Sequence, residues 1–497
     1  MSSPAESIAV VSRAASRRTL PVVLTGVALV AMSISGTAIA LPSIGTDLET
    51  AGSALNWAVA GYNLAFAAMT LVAGAAADRA GRRRVFVIAA ALFTGGFLAT
   101  AFAPTIEVLD AARIVSGIGG AGVMAAGGAL LASAYDGAAL NRAFALMGTM
   151  AGVGIATGPT LVGGLVDLTG WRGSFGVFAG VAAIIAGAAT RLAESRDERA
   201  RTDWIGSGLF VATLTAVMFA LLEGPGYGWG HPMVIAGFGV GIAGSVVFAV
   251  AQRRSSAPVL APELVGNRRF MAWCLATLTT SIGFLGVLVF LPTYLQAAAG
   301  HNPVTAGLVM LLLTAPVLVT PIFAAMLVNR GSSPRFLIMI ALILVVAGNV
   351  GLLVLRPENT TVLVAIPLLL IGIGMGASFG ITDGQAMALV PARLVGTAAG
   401  FLNTLRAAEA LVIAGFSAAL LGFLTSALQD SQHAADVAAG HLTTANDPGR
   451  AVEIDAFTSS WHRTQLGVGA LCLLLTAAVA LLVFTRSHGK DTHIQEA

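Results

Sequence analysis

Long apolar runs, separated by short polar segments, dominate the pattern of hydrophobic and polar positions along this chain. The runs 85–106, 143–166 and 336–355 contain no Asp, Glu, Lys or Arg. A helix needs roughly 20 apolar residues to cross a bilayer, and Gly, Pro and charged residues mark where each run ends. The pattern predicts an all-α integral membrane protein with fourteen transmembrane helices. They lie near residues 21–42, 54–77, 85–103, 106–134, 142–167, 173–190, 204–222, 232–251, 270–294, 302–328, 336–355, 361–390, 395–427 and 464–485.

The basic residues predict how these helices are oriented, because cytoplasmic loops carry an excess of Lys and Arg. With the N-terminus in the cytoplasm, twenty-one basic residues fall in cytoplasmic segments and two fall inside predicted helices. The four that fall outside are Arg172, Arg356, Arg450 and Arg463. We therefore expect a multi-pass protein of a bacterial cytoplasmic membrane, with both termini in the cytoplasm.

Composition excludes several other classes of protein. Only 10% of the residues are charged and 57% are hydrophobic, whereas about a quarter of the residues in a soluble domain are charged. The net charge of +3 comes from basic residues spread over many short loops, which does not indicate a nucleic-acid surface. No nucleotide-binding GxxxxGK loop occurs. We expect a monomer that is not an enzyme and has no cofactor, metal or nucleic-acid partner.

Two polar segments and a weak internal repeat predict the domain organisation. The segment 191–203 is a charged connector, and 428–463 is a polar loop on the outer side. The segment "GAAADRAGRRRVF" after the second predicted helix has a degenerate copy, "AAMLVNRGSSPRFLI", after the tenth, as expected for two parallel halves. The predicted units are an N-terminal six-helix bundle (1–190), a connector with two inserted helices (191–268), and a C-terminal six-helix bundle that includes the outer loop (269–497).

The first copy of this repeat carries the most specific motif in the chain. One glycine allows close helix approach, the other makes a tight turn, and the aspartate with the arginines can form a charged latch at the membrane face. A loop that only sets topology would need the arginines but neither the aspartate nor the glycines. The motif residues are Gly74, Asp78, Arg79, Gly81, Arg82 and Arg83.

On these residues the chain resembles the major facilitator superfamily, and specifically its fourteen-helix drug:proton antiporters. The resemblance runs over nearly the whole chain. It implies two pseudo-symmetric six-helix bundles with two inserted helices, a latch that pairs in one conformation and opens in the other, and protons as the coupling ion.

Two further motifs match this family. The fourth predicted helix contains "RIVSGIGGAG", with Arg113 and Gly117. A buried arginine faces a cavity or a partner, so we include Arg113 among the proton-coupling residues; a static ion pair with a carboxylate is the alternative. The fifth helix contains "GVGIATGPTLVGG", whose small residues form a flat packing face. The matching positions are Gly154, Gly158, Pro159, Gly163 and Gly164.

The chain departs from the family at the positions of its membrane-embedded carboxylates. Ser33 stands in the first helix where relatives often have an aspartate, whereas Arg406 and Glu409 stand in the thirteenth. Spaced i and i+3, these two side chains share a helix face near the bilayer midplane, where transporters bind substrate and coupling ions. We hypothesise that Glu409 carries the proton and Arg406 is its alternative partner. Asp383 is a second candidate, and a permanent Arg406–Glu409 pair is the alternative.

The residue pattern indicates the substrate only broadly. Aromatic and amide side chains in an apolar cavity suit amphiphilic organic molecules, although each of them singly also fits ordinary helix packing. The candidates are Trp57, Tyr62, Asn63, Tyr294, Gln296 and Asn403.

Together these features predict a secondary active transporter that works by alternating access. The expected substrates are drugs, antibiotics or other amphiphilic small molecules, exported across the cytoplasmic membrane in exchange for protons. One alternative is an exporter of an endogenous metabolite or lipid. Another, from a different class, is a receptor or scaffold that has this fold but does not transport.

Overall fold

The computed structural model describes residues 4–135, 137–196, 204–254, 262–359, 362–390, 405, 409–443 and 447–484, and this part of the chain contains helices and no β-strands. The first seven helices are α1 (Pro4–Asp47), α2 (Gly52–Ala80), α3 (Arg82–Ala101), α4 (Ile106–Ala134), α5 (Gly137–Ala189), α6 (Trp204–Tyr227) and α7 (Pro232–Arg254). The others are α8 (Pro262–Gly266), α9 (Arg268–Ala297), α10 (Pro303–Asn329), α11 (Pro334–Gly351), α12 (Val362–Ala388), α13 (Glu409–Leu428), α14 (Ser431–Ala439) and α15 (Gly449–Phe484).

Local sequence signals set several of these helix boundaries. The side chain of Asn267 caps α9 by accepting hydrogen bonds from the backbone N–H groups of Arg269 and Phe270. Asn302 caps α10 in the same way, and Pro303 follows it at the first helical position. Asparagine at the cap and proline at the first position both favour helix initiation. These short signals explain why such apolar helices begin at defined residues.

The helices pack into two groups, which we call the first half (α1–α5) and the second half (α9–α13 and α15). In the first half, α1 packs on α5, and α4 packs on α2 and α3. In the second half, α12 packs on α9, α10 and α11, while α15 packs on α9, α11 and α13. Helix α6 contacts α2, α13 and α7. The halves meet where α5 packs on α10, α1 on α9 and α2 on α13.

The described residues confirm a multi-span membrane protein. Twelve helices are long and apolar enough to cross a membrane, or thirteen if Gly52–Thr70 and Val72–Ala80, which are bent by 45°, form one span. In the most apolar window of α9, 83% of residues are buried, against 17% in α7. Helix α9 therefore lies inside the bundle, whereas α7 lies at its periphery.

Helix α5 is interrupted at one residue. It has 53 residues, and Gly170 within it adopts a non-helical conformation (φ 70°, ψ 173°). Positive φ is readily adopted only by glycine, so Gly170 marks a sharp change of direction. Next to this break, Arg172 forms an ion pair with Asp47 at the end of α1 and donates a hydrogen bond to the carbonyl of Ala103 after α3.

The segment 428–463, expected to be a polar loop, is largely helical. Asp430 caps α14 by accepting from the backbone N–H groups of Gln432 and His433, and Gly440 ends it with φ 93°. Helix α15 begins at Gly449, fifteen residues before the predicted start at residue 464. Polar residues on the exposed face conceal this amphipathic pattern, while Phe457 and Trp461 on the other face are buried.

Candidate functional site

The turn between α2 and α3 forms the charged cluster that the motif predicts. Asp78 accepts hydrogen bonds from Nε and Nη2 of Arg82, at 3.1 and 3.0 Å. Gly81 connects the two helices with φ 112°, a value that disfavours any residue with a side chain. A Cβ atom at this position would also lie 2.9 Å from the carboxyl carbon of Glu194. Glycine is therefore required here by the turn, and a side chain at this position would also displace the carboxylate of Glu194.

Glu194 is a member of this cluster that the sequence did not reveal. Its carboxylate accepts hydrogen bonds from the backbone N–H groups of Arg83 (3.0 Å) and Arg84 (3.2 Å) and forms an ion pair with Nε of Arg83 at 3.5 Å. A carboxylate is stabilising at a helix N-terminus. Glu194 thus ties the segment after α5 to the first turn of α3.

Two motif positions contribute less in this conformation. A Cβ atom at Gly74 would lie 3.8 Å from Cβ of Ala125, which is an ordinary van der Waals distance, so this glycine is not required by close packing here. Arg79 is exposed at the end of α2. The latch that the structure shows thus centres on Asp78, Arg82 and the added Glu194.

Arg113 lies in the interior of the first half and is only 1% exposed. Its Nε donates to the carbonyl of Ala58 at 3.0 Å, and its Nη2 donates to Oγ1 of Thr37 at 3.1 Å. Nη1 and Nη2 lie 3.4 and 3.5 Å from Oγ of Ser33. One side chain therefore joins α1, α2 and α4, and the hydroxyl of Ser33 takes the place of the carboxylate expected from relatives.

The static ion pair considered for Arg113 is not formed within the part of the chain that the structure describes, because no carboxylate there lies within 4.0 Å of the guanidinium. Asp110, one turn earlier in α4, was not singled out from the sequence. One of its carboxyl oxygens is buried without a hydrogen-bond partner. It lies within electrostatic range of Glu107, Arg113 and Glu223. Its i, i+3 spacing to Arg113 is the feature of the sequence from which this neighbour of Arg113 could have been predicted.

The small residues of α4 and α5 allow close contacts within the first half. A Cβ atom at Gly158 would collide with Oγ of Ser35 in α1, and Gly154 faces α1 one turn earlier. Gly117 of α4 lies against the backbone of Tyr62 in α2. Any larger side chain at these three positions would push helices of the first half apart.

The same face of α5 continues into the contact with the second half. A Cβ atom at Gly163 would lie 2.5 Å from the carbonyl oxygen of Pro303, and one at Gly307 would lie 2.7 Å from that of Pro159. The neighbouring Gly164 has nothing within 4 Å of its Cβ position. The backbones of α5 and α10 are therefore in direct contact at Pro159, Gly163, Pro303 and Gly307. Gly164 takes no part in this contact.

Several hydrogen bonds join the two halves. They extend from the bilayer interior to the end of the bundle that carries the α1–α2 turn, which we call the closed end. Ile39 and Asn56, which take part, lie within about two turns of that turn. The bonds run from Thr160 Oγ1 to Gly307 O (3.0 Å), Thr314 Oγ1 to Ala156 O (2.8 Å), Gln296 Nε2 to Ile39 O (3.1 Å) and Asn56 Nδ2 to Ser417 Oγ (2.9 Å).

The two candidate tyrosines are buried in this conformation. Tyr62 is 0% exposed, and its ring centroid lies 4.4 Å from the guanidinium carbon of Arg113, which is a cation–π distance. Its hydroxyl has no hydrogen-bond partner within the described residues. Tyr294 is also 0% exposed, and its hydroxyl lies 2.8 Å from Oγ1 of Thr458.

The candidates in α2 bind neighbouring protein groups. Trp57 donates from Nε1 to Glu223 Oε1 at 3.0 Å, and Ser53 donates to Glu223 Oε2 at 3.1 Å. Asn63 donates to the carbonyl of Val59 within its own helix. Glu223 was not predicted because the span 204–222 ends before it, whereas α6 continues to Tyr227. These groups hold the inserted helix against α2.

The predicted proton-coupling pair lies largely outside the described residues. Arg406 and the cavity candidate Asn403 are not among them, and for Glu409 and Asp383 only the backbone is described, at the start of α13 and within α12. The roles assigned to these four residues remain predictions.

A buried arginine, a glycine-rich helix face and a charged turn at the membrane face together indicate a transporter. The sequence model of the Major Facilitator Superfamily matches residues 23–414. The chain belongs to the Major Facilitator Superfamily. Membership in this superfamily of transporters also confirms the prediction that the chain is not an enzyme.

Relatives within the Major Facilitator Superfamily cover most of the chain. Multidrug resistance protein Stp of Mycobacterium tuberculosis is 33% identical over 393 residues, which cover 78% of this chain and 72% of the relative. Puromycin resistance protein pur8 of Streptomyces alboniger is 32% identical over 392 residues, which cover 78% of each. A solved structure of peptide transporter POT in complex with sulfate superposes with a TM-score of 0.64 at 14% identity, covering 94% of this chain and 95% of that chain. At that identity, the likeness shows the fold alone.

We expect Glu194→Ala to destabilise the protein by about 1 kcal/mol, because the first turn of α3 loses its acceptor. The measurement is the midpoint of thermal unfolding of the purified protein in detergent. Glu358→Ala, at an exposed position in the short 3-10 helix Pro357–Asn359 between α11 and α12, is the control and should leave the midpoint unchanged. Equal midpoints for the two variants would contradict the assigned role of Glu194.

We expect Gly163→Val to cost about 1–3 kcal/mol, because the new side chain meets the backbone of α10. Gly164→Val is a matched control, since it changes the same residue type in the same helix where the Cβ position is open. Thermal unfolding of both variants tests the contact. A loss of the same size for Gly164→Val would show that helix propensity, and not the contact between α5 and α10, is responsible.

Proposed function

We propose that this chain is a proton-coupled exporter of antibiotics or other amphiphilic small molecules across the bacterial cytoplasmic membrane. The observation that carries the proposal is its membership in the Major Facilitator Superfamily, together with relatives at 32–33% identity that are named multidrug and puromycin resistance proteins. The glycine contacts between α5 and α10 and the buried Arg113 agree with a moving, substrate-binding bundle. Substrate, protons and the lipid bilayer are its proposed partners, and we propose that it acts as a monomer without a cofactor.

The proposed transport cycle is a rocking of the unit 1–190 against the unit 269–497, with the connector and inserted helices 191–268 between them. Contact at the closed end supports a state that is shut toward the outside. Opening this end requires α5 and α10 to separate at Gly163 and Gly307, and Asn56 to release Ser417. The charged turn around Asp78, Arg82 and Glu194 lies at the opposite face and would rearrange in the same step.

We infer that the chain crosses the membrane fourteen times, with both termini in the cytoplasm. The break at Gly170 lies at the closed end, because Arg172, two residues later, contacts Asp47 and Ala103. Glu194, shortly after the end of α5, lies beside Arg83 at the start of α3. Because α3 runs from one face to the other, these contacts support two crossings by α5. Counting α5 as two spans, divided at Gly170, raises the number of candidate spans from thirteen to fourteen.

Single cysteines test this topology, since both native cysteines are buried. We expect Thr169→Cys, beside the break at Gly170, to react with a membrane-impermeant maleimide in intact cells. Arg191→Cys, at the other end of α5, should react only after permeabilisation. Labelling of both residues from the same side would contradict two crossings, and a reversed pattern would contradict the orientation.

The proposed proton carrier is Glu409, with Arg406 as its partner and with Asp383 and Arg113 as further charged groups. Its depth supports this assignment. Asn56, four residues inside α2, contacts Ser417 of α13. Glu409 lies eight residues earlier in α13, about 12 Å further from the closed end at 1.5 Å per residue. This distance supports a position for Glu409 well inside the bilayer, where transporters of this type bind coupling ions.

We expect Glu409→Gln to abolish proton-driven transport, because the amide cannot bind and release a proton. The wild type should protect a drug-hypersensitive bacterial host against puromycin or ethidium, and the variant should not. In proteoliposomes, an imposed pH gradient should move ethidium only with the wild type. Glu358→Gln is the exposed control and should transport normally.

Asp383→Asn separates the two carboxylate candidates in the same assays. Full transport by Glu409→Gln with loss in Asp383→Asn would assign the proton to Asp383 and reject the role of Glu409. If the gradient moves neither these compounds nor a wider drug panel, the exporter function itself is wrong and a non-transporting role is favoured.

A further inference from the structure

A small pocket lies where four helices of the second half end at the membrane face opposite the closed end. It is formed by the first turns of α9 and α11 and the last turns of α12 and α15. Among the residues that the structure describes, its lining contains two arginines, one glutamine, one tryptophan and three aliphatic residues, and no Asp or Glu. These residues are Arg269, Trp273, Arg335, Gln385, Ala388, Leu389 and Val483.

The two arginines in the pocket lack counter-charges. Within the described ranges, neither guanidinium takes part in an ion pair or a side-chain hydrogen bond. Both side chains are exposed, and each lies in the first turn of its helix, where the helix dipole also favours an anion. The residue before α11, Ser333, does not cap the helix with its side chain. The described lining of the pocket therefore carries a net positive charge.

The corresponding place in the first half contains an anion supplied by the protein. There the turn at Gly81 (φ 112°) leads into α3, and Glu194 covers the first turn of α3. In the second half, the turn at Gly331 (φ 93°) leads into α11. Arg335 follows it in the degenerate copy of the same sequence repeat. The pocket has the cations of this arrangement, but the described part of its lining has no carboxylate.

Apolar groups beside the pocket identify the kind of anion that fits. Trp273 at its base is 6% exposed and lies in an apolar cluster with Ile338 and Val483. Immediately after Arg335, Phe336 is 62% exposed, and Ile343 two turns later is 56% exposed. Such large apolar side chains on a membrane-spanning helix face acyl chains. An anion at the arginines would thus have an apolar surface beside it, as a phospholipid requires.

We propose that this pocket binds the phosphate group of an anionic phospholipid from the adjacent leaflet. Arg269 and Arg335 donate hydrogen bonds to the phosphate oxygens, and Gln385 contributes an amide N–H. The acyl chains lie along the exposed face of α11 from Phe336 to Ile343. Basic pockets between transmembrane helices are suited to such headgroups. The site is independent of the export function proposed above, because it requires neither substrate nor protons.

The test compares two double variants of the full-length protein. Arg269→Gln with Arg335→Gln removes both pocket cations. Arg268→Gln with Arg330→Gln is the matched control, because it removes the same charge from exposed arginines of the same two turns that do not line the pocket. Binding of phosphatidylglycerol and of phosphatidylcholine to each protein in neutral detergent is measured by native mass spectrometry and by thermal stabilisation.

We expect the wild type and the control to prefer phosphatidylglycerol, and the pocket variant to lose about tenfold or more in its affinity. Arg269→Lys with Arg335→Lys retains the charge and should retain part of the binding. Size-exclusion profiles verify that each variant is folded, and native mass spectrometry of the lysine variant gives a result even if the glutamine variant does not fold.

Four outcomes would overturn the proposal. The first is no preference of the wild type for phosphatidylglycerol over phosphatidylcholine. The second is an equal loss of binding in the pocket variant and its control. The third is stabilisation by millimolar inorganic phosphate that equals that of the lipid, which would assign the pocket to a free anion. The fourth is binding of lipid only by a variant that carries Asp491→Asn and Glu496→Gln. In that case the chain's own C-terminal segment occupies the pocket, and the lipid assignment is wrong.

Discussion

Direct contact between the backbones of α5 and α10 is the constraint on which the arrangement of the two halves depends. In lipid, helices gain little from the hydrophobic effect, so van der Waals packing and hydrogen bonds drive their association. Gly163 and Gly307 permit this approach, and Thr160 and Thr314 add hydrogen bonds to carbonyl groups across it. Because glycines and short threonine side chains form this contact, it is close and yet separable.

Charged groups in this protein have two different physical settings. At the membrane face, Asp78 pairs with Arg82 and Glu194 pairs with Arg83. These side chains are partly exposed, and such pairs form and break at small cost. In the interior, Arg113 is fully buried and satisfied by hydroxyl and carbonyl groups and by the ring of Tyr62. The first set is suited to rearrangement, whereas the second fixes helices relative to one another.

Sequence reasoning predicted the helical class and the clusters formed by residues close in sequence, because apolar period and turn chemistry are local properties. Asp78 and Arg82 are one helical turn apart, so their pairing could be read directly. Glu194 is 111 residues from Arg83 along the chain, and Glu223 is 166 residues from Trp57. No local pattern reports such contacts. The helices between 428 and 463 were missed for another reason, since their polar face resembles a loop.

The inserted helix α6 is held differently on its two sides. Toward α2, the carboxylate of Glu223 accepts two hydrogen bonds, whereas toward α13 the contact is an apolar cluster that includes Met218, Leu222 and Ala414. Hydrogen bonds to a carboxylate have directions that sliding would break, while apolar surfaces in lipid lose little when they shift. Relative motion of the halves would therefore leave α6 attached to α2, while α13 slides along its apolar surface.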